Sequence, residues 1–435
     1  MQPNHSPPST RRRVFSWAFY DFANTIYSMN VVSLYFSLWI TVDNGREDIL
    51  VSAANSISMA LVMLTMPLLG AISDQIRRRM PFLMALTGGC ILCTALIGLV
   101  GGSGLGVDAR VWAALFFFTL ANYAYQGGLV FYNALLPEVS TPGTVGRISG
   151  YGVALGYLGA IVGLVLVMPF NQGSVLGLEI PFIAAGGRVA TFVPTALFFL
   201  LFSVPIFLFV QEKAPRTKSR PQANWKDGFR RVGSFFLHHR RYPGVARFLA
   251  AKFFFENGIS AIIIFMAVYA VKVMGFTDEV VMTFLLVSTT AAVAGSSVCG
   301  LLVDRWGAHK ALTAVLMGWI LSLVLVLATS SRPLFWIAGA LIGIFLGGTW
   351  TASRPLMISL VPEKMLGEFF GLYAFSGKAA AIVGPLVWGL VVVSFSGLGI
   401  LKYKLAVGSL LLLILIGLII LWSVPKPEHS GADTG

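Results

Sequence analysis

Charged residues and cysteines are scarce in this sequence. Asp, Glu, Lys and Arg together make up 11% of its 435 residues and hydrophobic residues make up 57%, whereas soluble domains carry roughly 25% charged residues. The three cysteines, Cys90, Cys93 and Cys299, all lie in apolar runs, so no disulfide framework is predicted. This composition argues against an ordinary soluble domain and indicates a chain that lies largely within a membrane.

Sequence features of an enzyme or a nucleic-acid-binding protein are also missing. No Gly-x-x-x-x-Gly-Lys-(Ser/Thr) loop is present, which argues against direct use of ATP. The net charge of +13 is concentrated on one side of the predicted helices, which is a topology signal rather than a nucleic-acid-binding surface. We predict no metal centre, no cofactor and no enzymatic activity, because the histidines fall in predicted tails or loops: His5, His238, His239, His309 and His429.

Twelve apolar runs divide the sequence into two sets of six. Each run is about 20 residues or longer, the length of helix that crosses about 30 Å of hydrocarbon, and backbone groups in lipid must bond internally. We therefore predict twelve transmembrane helices, six within 14–210 and six within 246–424, joined by a basic linker over 211–245. The tails, 1–13 and 425–435, and the linker are predicted to be cytoplasmic because basic residues favour that side.

A loop motif occurs twice, 230 residues apart (70 to 300), after the second and the eighth run. The first copy is Gly70-Ala-Ile-Ser-Asp74-Gln-Ile-Arg77-Arg78-Arg79, and the second is Gly300-Leu-Leu-Val-Asp304-Arg305-Trp-Gly307-Ala-His-Lys310. A repeat of this kind indicates that one membrane unit was duplicated, and duplicated membrane halves are typical of transporters.

Two further correspondences extend the duplication. Gly146–Gly163 aligns without gaps with Gly367–Gly384, and Asp21 on helix 1 corresponds to Glu256 on helix 7. Glycines at three- and four-residue spacing suit close helix crossings, so most of them are predicted to be structural.

This arrangement resembles the major facilitator superfamily, whose motif is Gly-x-x-x-Asp-(Arg/Lys)-x-Gly-(Arg/Lys)-(Arg/Lys). The first copy departs from it at Gln75 and Arg77. The resemblance implies a cytoplasmic gate in which Asp74 and Asp304 pair with basic groups or cap a helix end; the alternative is that the arginines only anchor the topology. The implied gating residues are Gly70, Asp74, Arg78, Arg79, Gly300, Asp304, Arg305 and Gly307.

A narrower resemblance covers nearly the whole chain. The run from Trp17 to Tyr27 (WAFYDFANTIY) and the run from Phe131 to Pro137 (FYNALLP) are similar to signatures of the vacuolar-effluxer-like family, also called the "unknown major facilitator" family. That resemblance implies export of amino acids, as described for fungal members, although most bacterial members have no assigned substrate.

Ionisable residues inside the predicted spans mark the candidate site, because each costs about 2.5–3.5 kcal/mol or more to insert. Lys252 is the exception, because it lies at a shallower depth, from which its side chain can reach the interface, and it is predicted to be structural. The superfamily resemblance implies that helices 1, 4, 7 and 10 line a central cavity; the alternative is a structural ion-pair network. The candidate substrate-binding or coupling residues are Asp21, Asn24, Tyr27, Asn122, Tyr125, Gln126, Glu256, Asn257, Arg354 and Lys378.

The predicted function is secondary transport by alternating access of a small polar solute, with an amino acid as one candidate. The sequence leaves coupling to protons open, and a receptor or scaffold on the same fold remains an alternative. We expect a monomer in the inner membrane of a bacterium, with the solute and the lipid bilayer as its partners and both termini in the cytoplasm.

Overall fold

The computed structural model describes residues 11–46, 48–175, 178–212, 242–276 and 278–425. Most of the predicted linker and tails therefore lies outside the described residues. Within those ranges the chain forms twelve long helices: α1 Arg11–Tyr27, α2 Asp48–Ile76, α3 Met80–Gly101, α4 Val107–Ala134, α5 Val145–Gln172, α6 Phe192–Phe209, α7 Pro243–Lys272, α8 Asp278–Trp306, α9 Ala308–Ala328, α10 Arg332–Leu360, α11 Leu366–Ser394 and α12 Leu401–Trp422.

The all-helical membrane fold predicted from the sequence is confirmed. Ten of the twelve helices are long and apolar enough to cross a membrane, the exceptions being α1 and α4. These two helices carry polar residues such as Asn24, Asn122 and Gln126 along their length, which lowers their hydropathy. The small exception to the helical fold is a hairpin in which Ser174–Val175 pairs antiparallel with Leu178–Glu179.

The first membrane helix does not keep α-helical hydrogen bonding along its whole length. After α1 the helix continues as a π-helix over Ser28–Tyr35, a short α-helical segment over Phe36–Leu38 and a second π-helical segment over Trp39–Asp43. Within this stretch, Asn30 Nδ2 donates to the Ile26 carbonyl oxygen at 3.0 Å. The apolar pattern of the sequence does not predict this change in hydrogen bonding.

The described residues fall into two compact units. The first unit holds α1–α4, α5 from Leu155 onward and α6; the second holds α5 up to Ala154 together with α7–α12. Helix pairing within the units repeats. In the first unit, α6 packs against α1 and α3, and α4 packs against α2 and α3. In the second unit, the corresponding helix α12 packs against α7 and α9, and α10 packs against α8 and α9. The internal repeat of the sequence is therefore also a repeat of helix packing.

Small residues set the closest helix crossing of the second unit, between α8 and α10. A Cβ added to Gly347 would lie 3.0 Å from the Ser296 backbone nitrogen, and one added to Gly343 would meet the Ser288 backbone. Backbones that approach this closely leave no room for a side chain, which is the usual reason for glycine in a membrane interface.

Candidate functional site

Asp304, the acid of the second motif copy, caps the N-terminus of α5. Its Oδ1 accepts a hydrogen bond from the Gly146 backbone N–H at 2.7 Å, and its Oδ2 accepts from the Arg147 backbone N–H and from Arg147 Nε, both at 3.1 Å. A carboxylate at a helix N-terminus satisfies N–H groups that lack partners within the helix and interacts favourably with the helix dipole. Asp304 thus fixes the start of α5 against the end of α8 within the second unit.

The glycines of the second copy are explained by backbone geometry. A Cβ on Gly300 would lie 2.8 Å from the Gly146 carbonyl oxygen, because α8 and α5 touch there through their backbones. Gly307 has φ +83° and ψ 152°, a conformation that is essentially restricted to glycine, in the turn between α8 and α9. Arg305 is exposed beside this turn.

The first copy is organised around a buried ion pair. Arg79 Nη2 lies 3.0 Å from Asp74 Oδ1, and Arg79 Nη1 donates to the Ala134 carbonyl oxygen at 3.2 Å. Gly70 is buried in the same stretch, and Arg78 is exposed. Arg77, where the superfamily pattern has glycine, adopts φ +51° and is the one non-glycine with positive φ among the described residues.

Glu212 caps the helix that follows the first motif copy. Its Oε1 accepts from the Arg79 backbone N–H at 2.6 Å and its Oε2 accepts from the Met80 N–H at 3.0 Å. Next to it, the Gln211 carbonyl oxygen accepts from Arg13 Nη2 at 2.6 Å. Sequence reasoning missed Glu212 because it lies 133 residues from Arg79 in the chain. The residues just after α6 are thus attached to the starts of α1 and α3.

In the second unit, Glu256 is paired with Lys252, one turn earlier on α7. Both side chains are 2% exposed, and Lys252 Nζ donates to Glu256 Oε2. The ammonium lies 3.9 Å from the centre of the Tyr373 ring on α11, at a distance typical of a cation–π contact. The expectation that Lys252 reaches the interface is wrong, because its side chain is buried beside an acid and an aromatic ring.

Lys378 and Arg354 extend this charged region onto α11 and α10. Lys378 lies close enough to Glu256 and Lys252 for their charges to interact, and Arg354 is similarly close to Tyr373. Ser376 Oγ donates to the Leu249 carbonyl oxygen at 2.9 Å, which holds α11 against α7 next to the pair. We call Lys252, Glu256, Arg354, Tyr373 and Lys378 the charged cluster.

Asn257 follows Glu256 on α7 but bonds within its own helix. Its Nδ2 donates to the Phe253 carbonyl oxygen at 2.7 Å, and its backbone carbonyl faces Gly384 of α11. Its Oδ1 is buried and has no hydrogen-bond partner among the described residues. The hydrogen bond from Nδ2 therefore stays within α7 and does not link Asn257 to the charged cluster.

In the first unit, Asp21 is buried against Gly156 of α5. A Cβ on Gly156 would lie 3.5 Å from Asp21 Cγ and 3.2 Å from Thr25 Oγ1. Gly156 corresponds in the repeat to Gly377, which lies against Glu256 in the second unit. Each unit therefore places its intramembrane acid beside the same glycine of the repeat. Asn24 is buried on the same helix.

The other candidates of the first unit have separate surroundings. The rings of Tyr27 and Tyr125 are 5.1 Å apart, which brings α1 and α4 together. Asn122 Nδ2 donates to Asn55 Oδ1 of α2 at 2.8 Å, so its observed amide partner lies on α2. Gln126 is half-buried one turn farther along α4.

One histidine differs from expectation. His309 lies in the first turn of α9 rather than in a loop, and its Nε2 is 3.0 Å from the Leu421 carbonyl oxygen of α12. Across the described ranges, no three His, Cys, Asp or Glu side chains gather as a metal site would require. The other four histidines lie outside the described residues.

Comparisons with known proteins agree with this architecture. A family profile described as "Vacuole effluxer Atg22 like" matches residues 49–431. The chain is 28% identical, over 95% of both sequences, to the uncharacterized MFS-type transporter YxiO of Bacillus subtilis. It is 23% identical to autophagy-related protein 22 of Eremothecium gossypii, over 88% of this chain and 86% of that protein. The major facilitator proton:xylose symporter XylE matches in structure with a TM-score of 0.71 and 9% identity, over 95% of both chains.

Proposed function

The chain belongs to the Atg22-like vacuole effluxer family of major facilitator transporters, and on that premise we propose that it moves a small polar solute bearing a carboxylate group by secondary active transport. An amino acid is the leading candidate. The proposed mechanism is alternating access, in which the binding region opens to one side of the membrane at a time. The family description supports efflux as the direction.

The balance of charge deep in the helices carries this proposal. Within the described helices, five Asp, Glu, Lys or Arg side chains lie at least six residues from the nearer helix end: Asp21, Lys252, Glu256, Arg354 and Lys378. Three bases against two acids give a net charge of +1. Because a charge without a counter-charge is unfavourable in a membrane interior, the additional base offers a partner for a carboxylate group on the solute.

We assign the carboxylate of the solute to Arg354 and Lys378, and its cationic group or a coupling proton to Glu256 or Asp21. Guanidinium and ammonium groups bind carboxylates through charge-assisted hydrogen bonds. The polar residues Asn24, Tyr27, Asn122, Tyr125, Gln126 and Asn257 are proposed to contribute further contacts. Each assignment remains a proposal.

The two motif copies are proposed as gate elements at the cytoplasmic ends of the helices. Asp304 caps α5, while Asp74 pairs with Arg79 at the start of α3. Caps and buried pairs of this kind hold helix ends in one arrangement, and their release permits another. The arginines Arg77, Arg78 and Arg79 support a cytoplasmic position for this face. We propose the inner membrane of a bacterium as the location.

Counterflow into proteoliposomes tests the proposal. Vesicles loaded with an unlabelled amino acid are expected to accumulate the labelled form, whereas the matched amine without the carboxylate should not exchange. Lys378→Met and Arg354→Met should abolish the exchange. A receptor or scaffold would bind a solute without exchanging it, so binding without counterflow would favour that alternative.

Coupling to protons has its own test. If a pH gradient drives uptake through these acids, Glu256→Gln or Asp21→Asn should abolish gradient-driven uptake. Counterflow needs no net proton movement, so it should persist in the variant whose lost acid carries the proton and not the cationic group of the solute. Intact gradient-driven uptake in both variants would contradict coupling through these residues.

A further inference from the structure

The surroundings of the Lys252 ammonium resemble a binding site for a ligand. Lys252 Nζ donates to the carboxylate of Glu256 and lies 3.9 Å from the centre of the Tyr373 ring. A carboxylate combined with an aromatic face is a chemistry by which proteins bind the ammonium group of a small molecule. Here that position is filled by a side chain of the protein itself.

The carboxylate has capacity for a second donor. Glu256 Oε1 is buried and has no hydrogen-bond partner among the described residues, while Oε2 is bonded to Lys252. A buried acceptor without a partner is unfavourable because it has lost its hydrogen bonds to water. This arrangement suits a carboxylate that receives a further hydrogen bond from a ligand.

Gly377 keeps this position open on the side of α11. A Cβ added there would lie 2.6 Å from both Lys252 Nζ and Glu256 Oε2. Both atoms are the ends of flexible side chains, so a methyl group would move the pair rather than disrupt the backbone. The absence of a side chain at position 377 therefore lets the ammonium and the carboxylate meet.

The corresponding position in the first unit is not an amine. Lys252 aligns with Trp17 at the same interval of 235 residues that relates Glu256 to Asp21. Trp17 stacks on Tyr132 at 4.4 Å and donates from Nε1 to the Tyr132 carbonyl oxygen at 3.1 Å. Asp21 and Glu256 thus share a glycine neighbour, but the residue one turn before the acid is Trp17 in the first unit and Lys252 in the second.

We propose that Lys252 is a tethered occupant of an ammonium-binding site formed by Glu256, Tyr373 and Gly377, and that the primary ammonium group of a ligand displaces it. The lysine stem is flexible and carries a compact charge, so it can withdraw without a backbone change. This inference rests on the proposed function, because it identifies the ligand as a solute that carries a primary amine as well as a carboxylate. Lys252 is then a positioning residue that keeps Glu256 paired when the solute is absent.

Chemical rescue in the purified full-length protein tests this inference. Lys252→Ala removes three carbons and the amine of the lysine side chain. The n-propylammonium ion, added as its chloride salt, has these same atoms and replaces the lost group as a free molecule. We expect this salt to raise the melting temperature of Lys252→Ala with saturation. Propanol and sodium chloride at the same concentrations should not. The double variant Lys252→Ala/Glu256→Gln should not respond.

The wild-type protein supplies the comparison for competition. The tethered ammonium competes at an effective concentration of roughly millimolar, which weakens the binding of a free amine by a factor of one plus that concentration divided by the dissociation constant of the amine. We therefore expect n-propylammonium to bind wild type more weakly than it binds Lys252→Ala. If Lys252→Ala does not fold, Lys252→Met keeps a stem that reaches the ε position and lacks only the terminal amine, and ammonium chloride is the probe in the same design.

The possible outcomes are distinct. An equal response to propanol would indicate simple filling of a cavity, and a response that survives Glu256→Gln would place the amine elsewhere; either result overturns the inference. Counterflow without an ammonium-selective response would overturn the site but leave transport standing. An ammonium-selective response in a protein that shows no counterflow would support the site and contradict the proposed function.

Discussion

Arg77 is predicted to be a strained residue that glycine would relieve. Its φ of +51° is in the left-handed region, which disfavours a residue with a Cβ by roughly 1–2 kcal/mol. Glycine also gains freedom in the unfolded chain, which offsets about 0.4–1 kcal/mol of that relief. Arg77→Gly is therefore expected to raise the free energy of unfolding by about 0.5–1 kcal/mol.

Arg78→Gly is the matched control for this prediction. Both arginines are exposed neighbours, so each substitution removes one exposed charge, but Arg78 has no positive φ to relieve. Its replacement should lower stability by about 0.4–1 kcal/mol through the unfolded state alone. The difference of roughly 1–2 kcal/mol between the two variants then measures the strain at Arg77.

Unfolding by sodium dodecyl sulfate in mixed micelles, followed by tryptophan fluorescence, can measure this difference. Because the chain has two compact units, the transition of the unit that contains α2 and α3 is the relevant one. Gly307→Ala, at φ +83° in the second copy, should lower stability by about 1–3 kcal/mol. The reasoning is refuted if Arg77→Gly and Arg78→Gly unfold at the same denaturant concentration.

Three further predictions concern helix ends and crossings. Asp304→Ala should destabilise the second unit by about 1–2 kcal/mol, because the start of α5 loses its cap. The control Arg305→Ala, at an exposed neighbouring residue, should change stability by less than about 0.5 kcal/mol. Equal effects of the two substitutions would contradict the capping argument. Glu212→Ala should lower stability by about 0.5–2 kcal/mol and speed proteolysis after α6; unchanged proteolysis would show that the cap does not hold this segment. Gly343→Ala should destabilise the contact of α10 with α8, because the backbone of α8 leaves no room for a Cβ there. Gly408→Ala should stabilise α12 by about 0.5–1 kcal/mol, because a Cβ added at that position meets no atom within 4 Å. Thermal unfolding of both variants checks the opposite signs.

Much of the fold follows from the sequence because each helix must satisfy its own backbone in the membrane. The twelve long helices lie within the predicted ranges 14–210 and 246–424, except that α1 begins at Arg11 and α7 begins at Pro243. The π-helical segments after Tyr27 are different, because the number of residues per turn there depends on tertiary packing and leaves no clear trace in composition. Hydropathy also fails for α4, whose polar residues are buried within the protein.

The sequence identifies the ionisable residues inside the helices but not their pairings. The spacing Lys252-x-x-x-Glu256 places both groups on one face of a helix, and this signal was available in the sequence. The position of Lys252 along its helix led to the wrong expectation that its side chain reaches the interface. Its burial depends on Tyr373 and Gly377, which lie on a helix more than 100 residues later in the chain. Glu212 was missed for the same reason. Long-range partners of buried charges are set by helix packing, which apolar periodicity does not encode.

The two halves show which features of the site a duplication can preserve. In each unit the intramembrane acid rests against a repeat-related glycine, Gly156 beside Asp21 and Gly377 beside Glu256. The neighbouring positions differ, since Trp17 aligns with Lys252 and Tyr157 aligns with Lys378. Glycine fixes the distance between helices, and that constraint is steric and common to both units. The lysines instead change the local charge, which affects only the chemistry that each unit offers to a solute. We therefore expect exchange of Trp17 or Tyr157 for other aromatic residues to change stability alone, whereas neutral replacements of Lys252 or Lys378 should also change which solutes are transported.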